Sequence, residues 1–314
     1  MIEVKDLYKA YGSTKAVDGI SFKLEKGEVV GLLGPNGAGK TTCMRMLTCY
    51  ITPDAGDAIV GGHSILTQPL EVRKNIGYLP ESAPLYTDMN VVDYLTFIAE
   101  IHELGANTRD RVGEMVDVCG LKTVVYKDIS ELSKGFRQRV GLASTMIHDP
   151  DYLILDEPTA GLDPNQIVEI RNLIREIGHK REKSVILSTH ILPEVEVTCD
   201  RAIIINDGKI IAEGTTDELT GFARGADVYH VKMLGERKSI ENSFKSSQMV
   251  QSLEYINTEG GNGHAFRLTS KSDNDISENI FDIAVRDGYK LIGLSRDIAS
   301  LEDIFRTLTT KEAN

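Results

Sequence analysis

The stretch EVVGLLGPNGAGKTTCMRML, residues 28–47, constrains the fold of this chain more than any other. A continuous apolar run ending at Gly34 reads as a strand buried on both faces, and GKTTCMRML reads as the helix that follows it. Between them GPNGAGKT, from Gly34 to Thr41, matches G-x-x-x-x-G-K-[ST]. Glycines let such a loop fold tightly, so that successive backbone N–H groups and a helix N-terminus point at phosphate oxygens. The donors fall at Gly34, Asn36, Gly37, Ala38, Gly39 and Thr42. Lys40 supplies a mobile positive charge for the terminal phosphates, and Thr41 offers a hydroxyl to Mg²⁺.

Two later runs, DYLILD (Asp151 to Asp156) and SVILST (Ser184 to Thr189), also read as buried strands. The helix between them starts with Asp163 as N-cap and Pro164 at its first position, and Ile167, Ile170, Ile174 and Ile177 form one apolar stripe. Strand, helix, strand in that order predicts an α/β fold around a parallel sheet. The N-terminus differs. IEVKDL, with Ile2, Val4 and Asp6 on one side, and ISFKLEKGE, with Ile20, Phe22 and Leu24 on one side, predict an antiparallel β element. Residues 87–148 lack strand-like runs and carry amphipathic patterns such as VVDYLTFIAEIHEL, which predicts a helical insertion.

A third region covers residues 225–314. Its expected order is strand (Asp227 to Met233), helix (Ile240 to Met249), strand (Val250 to Ile256), strand (Ala265 to Thr269), helix (Ser277 to Arg286), strand (Lys290 to Leu294). That order fits a small α+β, ferredoxin-like domain. A last helix is expected from the capping box Ser300 and Asp303, with Leu301, Ile304, Phe305 and Leu308 on one face. Dimerisation or partner docking is the expected use of this region, ahead of ligand sensing.

Chemistry gathers around the phosphate loop. Asp156, ending a buried strand, can hold the water shell of Mg²⁺, and Glu157 directly after it is placed to polarise an attacking water. Net charge −12 argues against a general nucleic-acid binder. Four cysteines without C-x-x-C spacing, an N-terminus without a signal-like apolar run, and no apolar stretch of about 18 residues lead to the expectation of a reduced cytoplasmic protein that meets membranes only through a partner.

LSKGFRQRV (Leu132 to Val140) resembles the signature sequence of the ATP-binding cassette (ABC) family. AGLDP resembles the D-loop of that family and STH its switch histidine segment. The match covers residues 1–220. The resemblance implies a P-loop NTPase with a RecA-like core, an N-terminal antiparallel β element and a helical subdomain. It further implies two cassettes closed face to face around two ATP molecules. Ser133 and Gly135 would contact the γ-phosphate bound by the opposite subunit, Asp163 would cross the interface, and Tyr11 would stack on adenine. Lys40, Thr41 and Mg²⁺ would offset phosphate charge, Glu157 would activate water and His190 would orient the γ-phosphate. Alone, a histidine at a strand end reads as structural; its place among the other motifs carries the role.

Two departures stand out. The signature usually ends in Gly-Gln, and here Gly135 precedes Phe136. In IGYLPESAPLY, Glu81 stands where the family has the Q-loop glutamine, a residue that joins Mg²⁺ to the surface receiving the membrane partner. As a harder oxygen ligand, a carboxylate keeps metal coordination within reach. The C-terminal SLEDIFRTLT looks like that of single-cassette subunits of ABC-2-type exporters. The expected partners are therefore integral membrane permease subunits and a second ATP-binding subunit, a homodimer ahead of a heterodimer. No nucleic acid is expected, and the expected place is the cytoplasmic face of the cell membrane. The alternative is a soluble ABC ATPase not coupled to transport, acting on ribosomes or DNA; the second cassette or long coiled coil of such proteins is missing. The signature segment argues against a small-molecule kinase, and the lack of NKxD against a GTPase.

Overall fold

The computed structural model describes residues 1–216, 218–219, 228–247, 249–259, 263–271 and 275–297. The chain divides into two compact units, Met1–Thr216 and the remainder. The expected last helix, Ser300 to Leu308, and the linker glycines Gly221 and Gly225 lie outside the described residues.

In the first unit, strands β1 (Ile2–Tyr11) and β2 (Thr14–Leu24) form the antiparallel hairpin read from the sequence, and β3 is Val29–Leu33. Helix α1 (Lys40–Leu47) follows the glycine-rich loop, then β4 (Ala55–Val60) and β5 (His63–Ser64) complete an antiparallel sheet in the order β2-β1-β4-β5. The alternation expected through Asp6 breaks. Asp6 adopts φ 46 at a register shift, so Leu7 continues the buried row and Asp6 faces solvent.

Next come α2 (Pro69–Asn75), β6 (Ile76–Leu79), α3 (Val91–Ile101), α4 (Thr108–Val118), α5 (Lys134–Met146) and β7 (Tyr152–Asp156). They are followed by α6 (Pro164–Arg175), β8 (Ser184–Thr189), α7 (Leu192–Thr198), β9 (Arg201–Asn206) and β10 (Lys209–Gly214). The second sheet has the order β10-β9-β3-β8-β7-β6, parallel except for the β9–β10 hairpin. Sequence reading found β3, β7 and β8 but not β6, β9 or β10. β6 has only four residues, and so short an apolar run between polar loops carries no period.

The central strands are buried on both faces, and successive residues serve different cores. Leu153, Leu155, Val185 and Leu187 join a cluster with helices α3 to α6, while Ile154 and Ile186 join one with α1 and the antiparallel sheet. Fully burying each such aliphatic side chain is worth roughly 1.5–3 kcal/mol. Residues 87–148 contain α3, α4 and α5 and no strand, as expected, but they have no core of their own: Leu95, Val112 and Leu142 share the cluster of the parallel sheet. In α6 the capping box of Asp163 and Gln166 is present, and Ile170, Ile174 and Ile177 are buried. Ile167 is only half-buried, and Leu173 fills the stripe instead.

The second unit contains β11 (Val228–Leu234), a helix Arg237–Lys245, β12 (Val250–Glu259), β13 (Gly263–Ser270), a helix Ser277–Arg286 and β14 (Lys290–Asp297). Its sheet order, β12-β13-β11-β14, is wholly antiparallel and matches the split β-α-β arrangement predicted for a ferredoxin-like fold. Tyr229, Val231, Phe244, Phe266 and Ile280 form its core. The first helix starts earlier than expected and ends at Lys245 rather than Met249.

A stacked histidine pair joins the C-terminal ends of α3 and α5. The rings of His102 and His148 stack at 4.0 Å, 3° from parallel, and His148 Nε2 donates to the carbonyl of Ile76 at 3.2 Å. Burial and the neighbouring His102 push His148 down to about 4 from 6.5. A folded-state value below the unfolded one makes acid favour the unfolded chain, so this contribution is intact above pH 6.5 and is lost as pH falls toward about 4. Thermal melts across that window should show stability falling with acid, and His148→Gln should flatten the slope relative to the parent chain.

Candidate functional site

The strands β3, β7 and β8 end side by side, which brings the segments after each of them together. The loop after β3 is fixed by close backbone approach. Gly39 has φ 108, and a Cβ there would lie 2.2 Å from the carbonyl oxygen of Ala16; at Gly34 it would lie 2.4 Å from that of Ile205. Only glycine fits both places. The loop lines a cavity of about 360 Å³ through Asn36, Gly37, Ala38, Gly39, Lys40, Thr41 and Thr42, and Glu81, Glu157 and His190 close its other sides. Segments far apart in sequence thus face one space.

Lys40 is buried beside the loop: its side chain is 6% exposed, and its ammonium donates to the carbonyls of Gly34 at 2.7 Å and Pro35 at 3.2 Å. Glu157 Oε1 lies 3.7 Å away. Burial lowers the Lys40 pKa, and the charges of Glu157, Asp156 and Glu81 act against that fall. Exposed Glu81 lines the same cavity as the lysine.

Asp156 lies under the cavity at 1% exposure. Its Oδ1 accepts from Ser188 Oγ at 2.5 Å and from Thr41 Oγ1 at 3.2 Å. Ser188 Oγ in turn accepts from the backbone N–H of Glu157 at 2.9 Å. One hydroxyl thereby holds both acidic residues. Sequence reasoning missed Ser188, although it lies in the quoted STH; a serine at a buried strand end was the available signal. Glu157 is 8% exposed and adopts φ 47, a left-handed conformation unfavourable for a residue with a Cβ. Its oxygens accept from His190 Nδ1 at 3.0 and 3.1 Å, so a neutral ring donates through Nδ1 and keeps Nε2 as an acceptor. This contact between Glu157 and His190 was not foreseen.

The donor set fits Mg²⁺. A buried carboxylate beside a threonine hydroxyl supplies hard oxygen donors, and Mg²⁺ takes one or two of these with phosphate and water oxygens completing its shell. Among the described residues no group of three or more His, Cys, Asp and Glu side chains is placed to hold a metal alone.

Besides Gly34 and Asp156, which border the loop without lining the cavity, Tyr11, Ser133, Gly135 and Asp163 also lie outside its lining. Tyr11 is exposed at the tip of the β1–β2 hairpin, where Lys9 Nζ stands 5.9 Å from its ring centroid; the same hairpin brings Ala16 to the cavity. Ser133 caps α5, its hydroxyl accepting from Phe136 N at 3.3 Å. A Cβ on Gly135 would lie 2.7 Å from Gln166 Cδ, so the signature helix packs on the first turn of α6, which Asp163 caps. Phe136, in place of the usual glutamine, packs on the core shared with the helical segment, and Arg139 stands 5.9 Å from its ring centroid.

A strand, phosphate loop and helix, with a strand-end aspartate and an adjacent glutamate, define a P-loop nucleotide hydrolase. The sequence profile described as ABC transporter matches residues 17–160, and one described as an AAA domain, putative AbiEii toxin, matches residues 125–197. The uncharacterized ABC transporter ATP-binding protein YxlF of Bacillus subtilis (strain 168) is 32% identical over 306 residues, covering 97% of this chain and 98% of its own. The linearmycin resistance ATP-binding protein LnrL of the same organism is 34% identical over 261 residues, covering 82% and 81%. Among solved structures, one described as the ATP-binding subunit of an ABC transporter superposes with TM-score 0.64 at 29% identity, covering 71% of this chain and 92% of that one. The chain belongs to the ABC transporter ATP-binding proteins, a family of transporter-driving ATPases.

Gly39→Ala should weaken nucleotide binding by at least about tenfold, since a Cβ clashing with a backbone carbonyl displaces the loop, a strain of about 1–3 kcal/mol. Equilibrium titration with a fluorescent ATP analogue reads this directly.

Proposed function

We propose that this chain is the ATP-hydrolysing subunit of an ABC-2-type membrane exporter, working as a homodimer whose closure on ATP and reopening after hydrolysis drive a permease. The observation that carries the reading is the Glu157 carboxylate, buried between Lys40 Nζ at 3.7 Å and His190 Nδ1 at 3.0 Å on the phosphate-loop cavity. The carboxylate is the general base for the attacking water, and His190 holds it in place and meets the γ-phosphate. Lys40 leaves its loop carbonyls for the terminal phosphates, and the loop N–H groups hold the rest of the chain of phosphates. Thr41, Asp156 and Glu81 would hold Mg²⁺, which would offset phosphate charge. Tyr11, with its exposed ring, takes adenine.

Ser133, Gly135 and Asp163 serve the opposite subunit. Their place outside the cavity of their own cassette supports this division. A groove of about 490 Å³ beside the Glu81 segment, lined by Tyr78, Leu79, Pro80, Ser82 and Tyr94 from β6, the following loop and α3, suits a short coupling segment of the permease. No helix among the described residues is long and apolar enough to cross a membrane. In this reading the permease supplies the channel and holds this subunit at the cytoplasmic face. The ferredoxin-like unit assists dimerisation or partner docking. The exporter assignment rests on relatives such as LnrL, whose name records linearmycin resistance.

Glu157→Gln should bind ATP, lose about 10²- to 10⁴-fold in turnover and accumulate a closed dimer by size exclusion; normal turnover would remove Glu157 from the role of base. Glu81→Gln should shift the Mg²⁺ concentration needed for half-maximal turnover. An unchanged Mg²⁺ dependence would leave Glu81 to the permease surface instead.

A further inference from the structure

The strained glutamate and the half-exposed histidine share a support that the site motifs do not include. Glu194, on the first turn of α7, is 2% exposed. One of its oxygens, Oε2, accepts from Thr159 Oγ1 and from Thr189 Oγ1, both at 2.8 Å. Thr159 lies in the turn that starts at Glu157, where the N–H of Ala160 donates to the Glu157 carbonyl at 3.0 Å. Thr189 directly precedes His190, and its Oγ1 also accepts from the N–H of Ile191 at 3.0 Å. The two hydroxyls therefore fix the chain after Glu157 and on both sides of His190 to a single atom.

This arrangement answers a mechanical need. Glu157 has φ 47, which persists in a residue bearing a Cβ only where its surroundings over-determine it. Ser188 restrains the Glu157 N–H, but the segment after Glu157 needs its own anchor, and Thr159 with Glu194 provides one. His190 is itself 48% exposed in its side chain, so packing alone does not aim its ring. The other carboxylate oxygen of Glu194 faces α6: Arg171 Nη2 is 3.6 Å from Oε1, longer than a hydrogen bond. Neither Glu194 Oε1 nor Arg171 Nε has a hydrogen-bond partner, although both are buried. The Asp163 cap begins the helix that carries Arg171.

We infer that Glu194 is a positioning residue that holds Glu157 and His190 in register for hydrolysis and ties both to helix α6. It touches no substrate. It acts through Thr159 and Thr189, with Arg171 of α6 beside its other oxygen. The inference rests on the reading of Glu157 and His190 as the hydrolytic pair.

The test is steady-state ATP turnover by the full chain, using Thr159→Val and Thr189→Val together, which keep shape but remove both donors, alongside Glu194→Ala and Glu194→Gln. Misplacement of a reacting group by about 1 Å lowers rates by about 10²-fold, so the double valine variant should lose about 10- to 100-fold in kcat. Its KM for ATP should stay within about threefold, the mark of an interaction needed in the transition state rather than in binding. Glu194→Gln, which keeps an acceptor oxygen, should recover most of the kcat lost in Glu194→Ala. In a Glu157→Gln background the valine substitutions should cause no further loss. Unchanged kcat in the double valine variant, or a fall matched by an equal fraction of unfolded protein, overturns the inference. Should Glu157→Gln itself turn over normally, the hydrolytic reading fails; should it be inactive while the valine variant is normal, only the role of Glu194 fails.

Discussion

The arrangement of this cassette depends on a carboxylate buried where water does not reach it. Asp156 is 1% exposed, and an ionised group removed from water requires hydrogen bonds to replace its hydration. Ser188 Oγ and Thr41 Oγ1 supply them, from the end of β8 and the first turn of α1. The same serine then takes the N–H of Glu157. A single desolvated charge thus sets the mutual position of the phosphate loop and the segments after β7 and β8. The parallel sheet beneath is stiff enough to bear this, because its strands pack on both faces.

Above that floor the charges are arranged for a guest that carries negative charge. Lys40 donates to two carbonyls of its own loop and faces Glu157, while Glu81 acts on it from across the cavity. Phosphate oxygens entering the loop offer the lysine a stronger partner than neutral carbonyls do. Membership of the ABC ATPases makes the guest a nucleotide. In the proposed cycle Ser133, Gly135 and Asp163 serve the opposite cassette. They sit on adjoining helix starts, since Gly135 admits Gln166 against its backbone.

Much of this was legible in the chain itself. The strand before GPNGAGKT, the helix after it, the Asp163 cap and the order of the ferredoxin-like unit all appear as read, because each depends on local signals: a continuous apolar run, an N-cap followed by proline, an alternating pattern. Strand β6 was not legible, since four residues between loops have no period, whereas β9, with the apolar run Ala202 to Ile205, carried the same signal as β3 and was passed over. Asp6 was assigned to the wrong side of β1, because a residue at φ 46 shifts the alternation in a way that composition does not reveal. At the site, Lys40, Thr41, Asp156 and Glu157 were named, whereas the supports Ser188, Thr159, Thr189 and Glu194 were not. Small hydroxyl residues and a lone glutamate are too common to carry a signal until their partners are known.

By itself the sequence determined which groups can do chemistry here, because the phosphate loop and its neighbours depend on residue types at fixed short spacing. Glycine must stand where the backbone passes within 2.2 Å of where a Cβ would be, and no distant residue changes that. Tertiary structure alone decided how those groups are held: that Lys40 donates to carbonyls of its own loop, that Glu157 contacts His190 across 33 residues of chain, and that one atom of Glu194 steadies both. Such contacts join strand ends that meet only once the sheet has ordered β3, β8 and β7 side by side, and spacing along the chain does not encode that meeting.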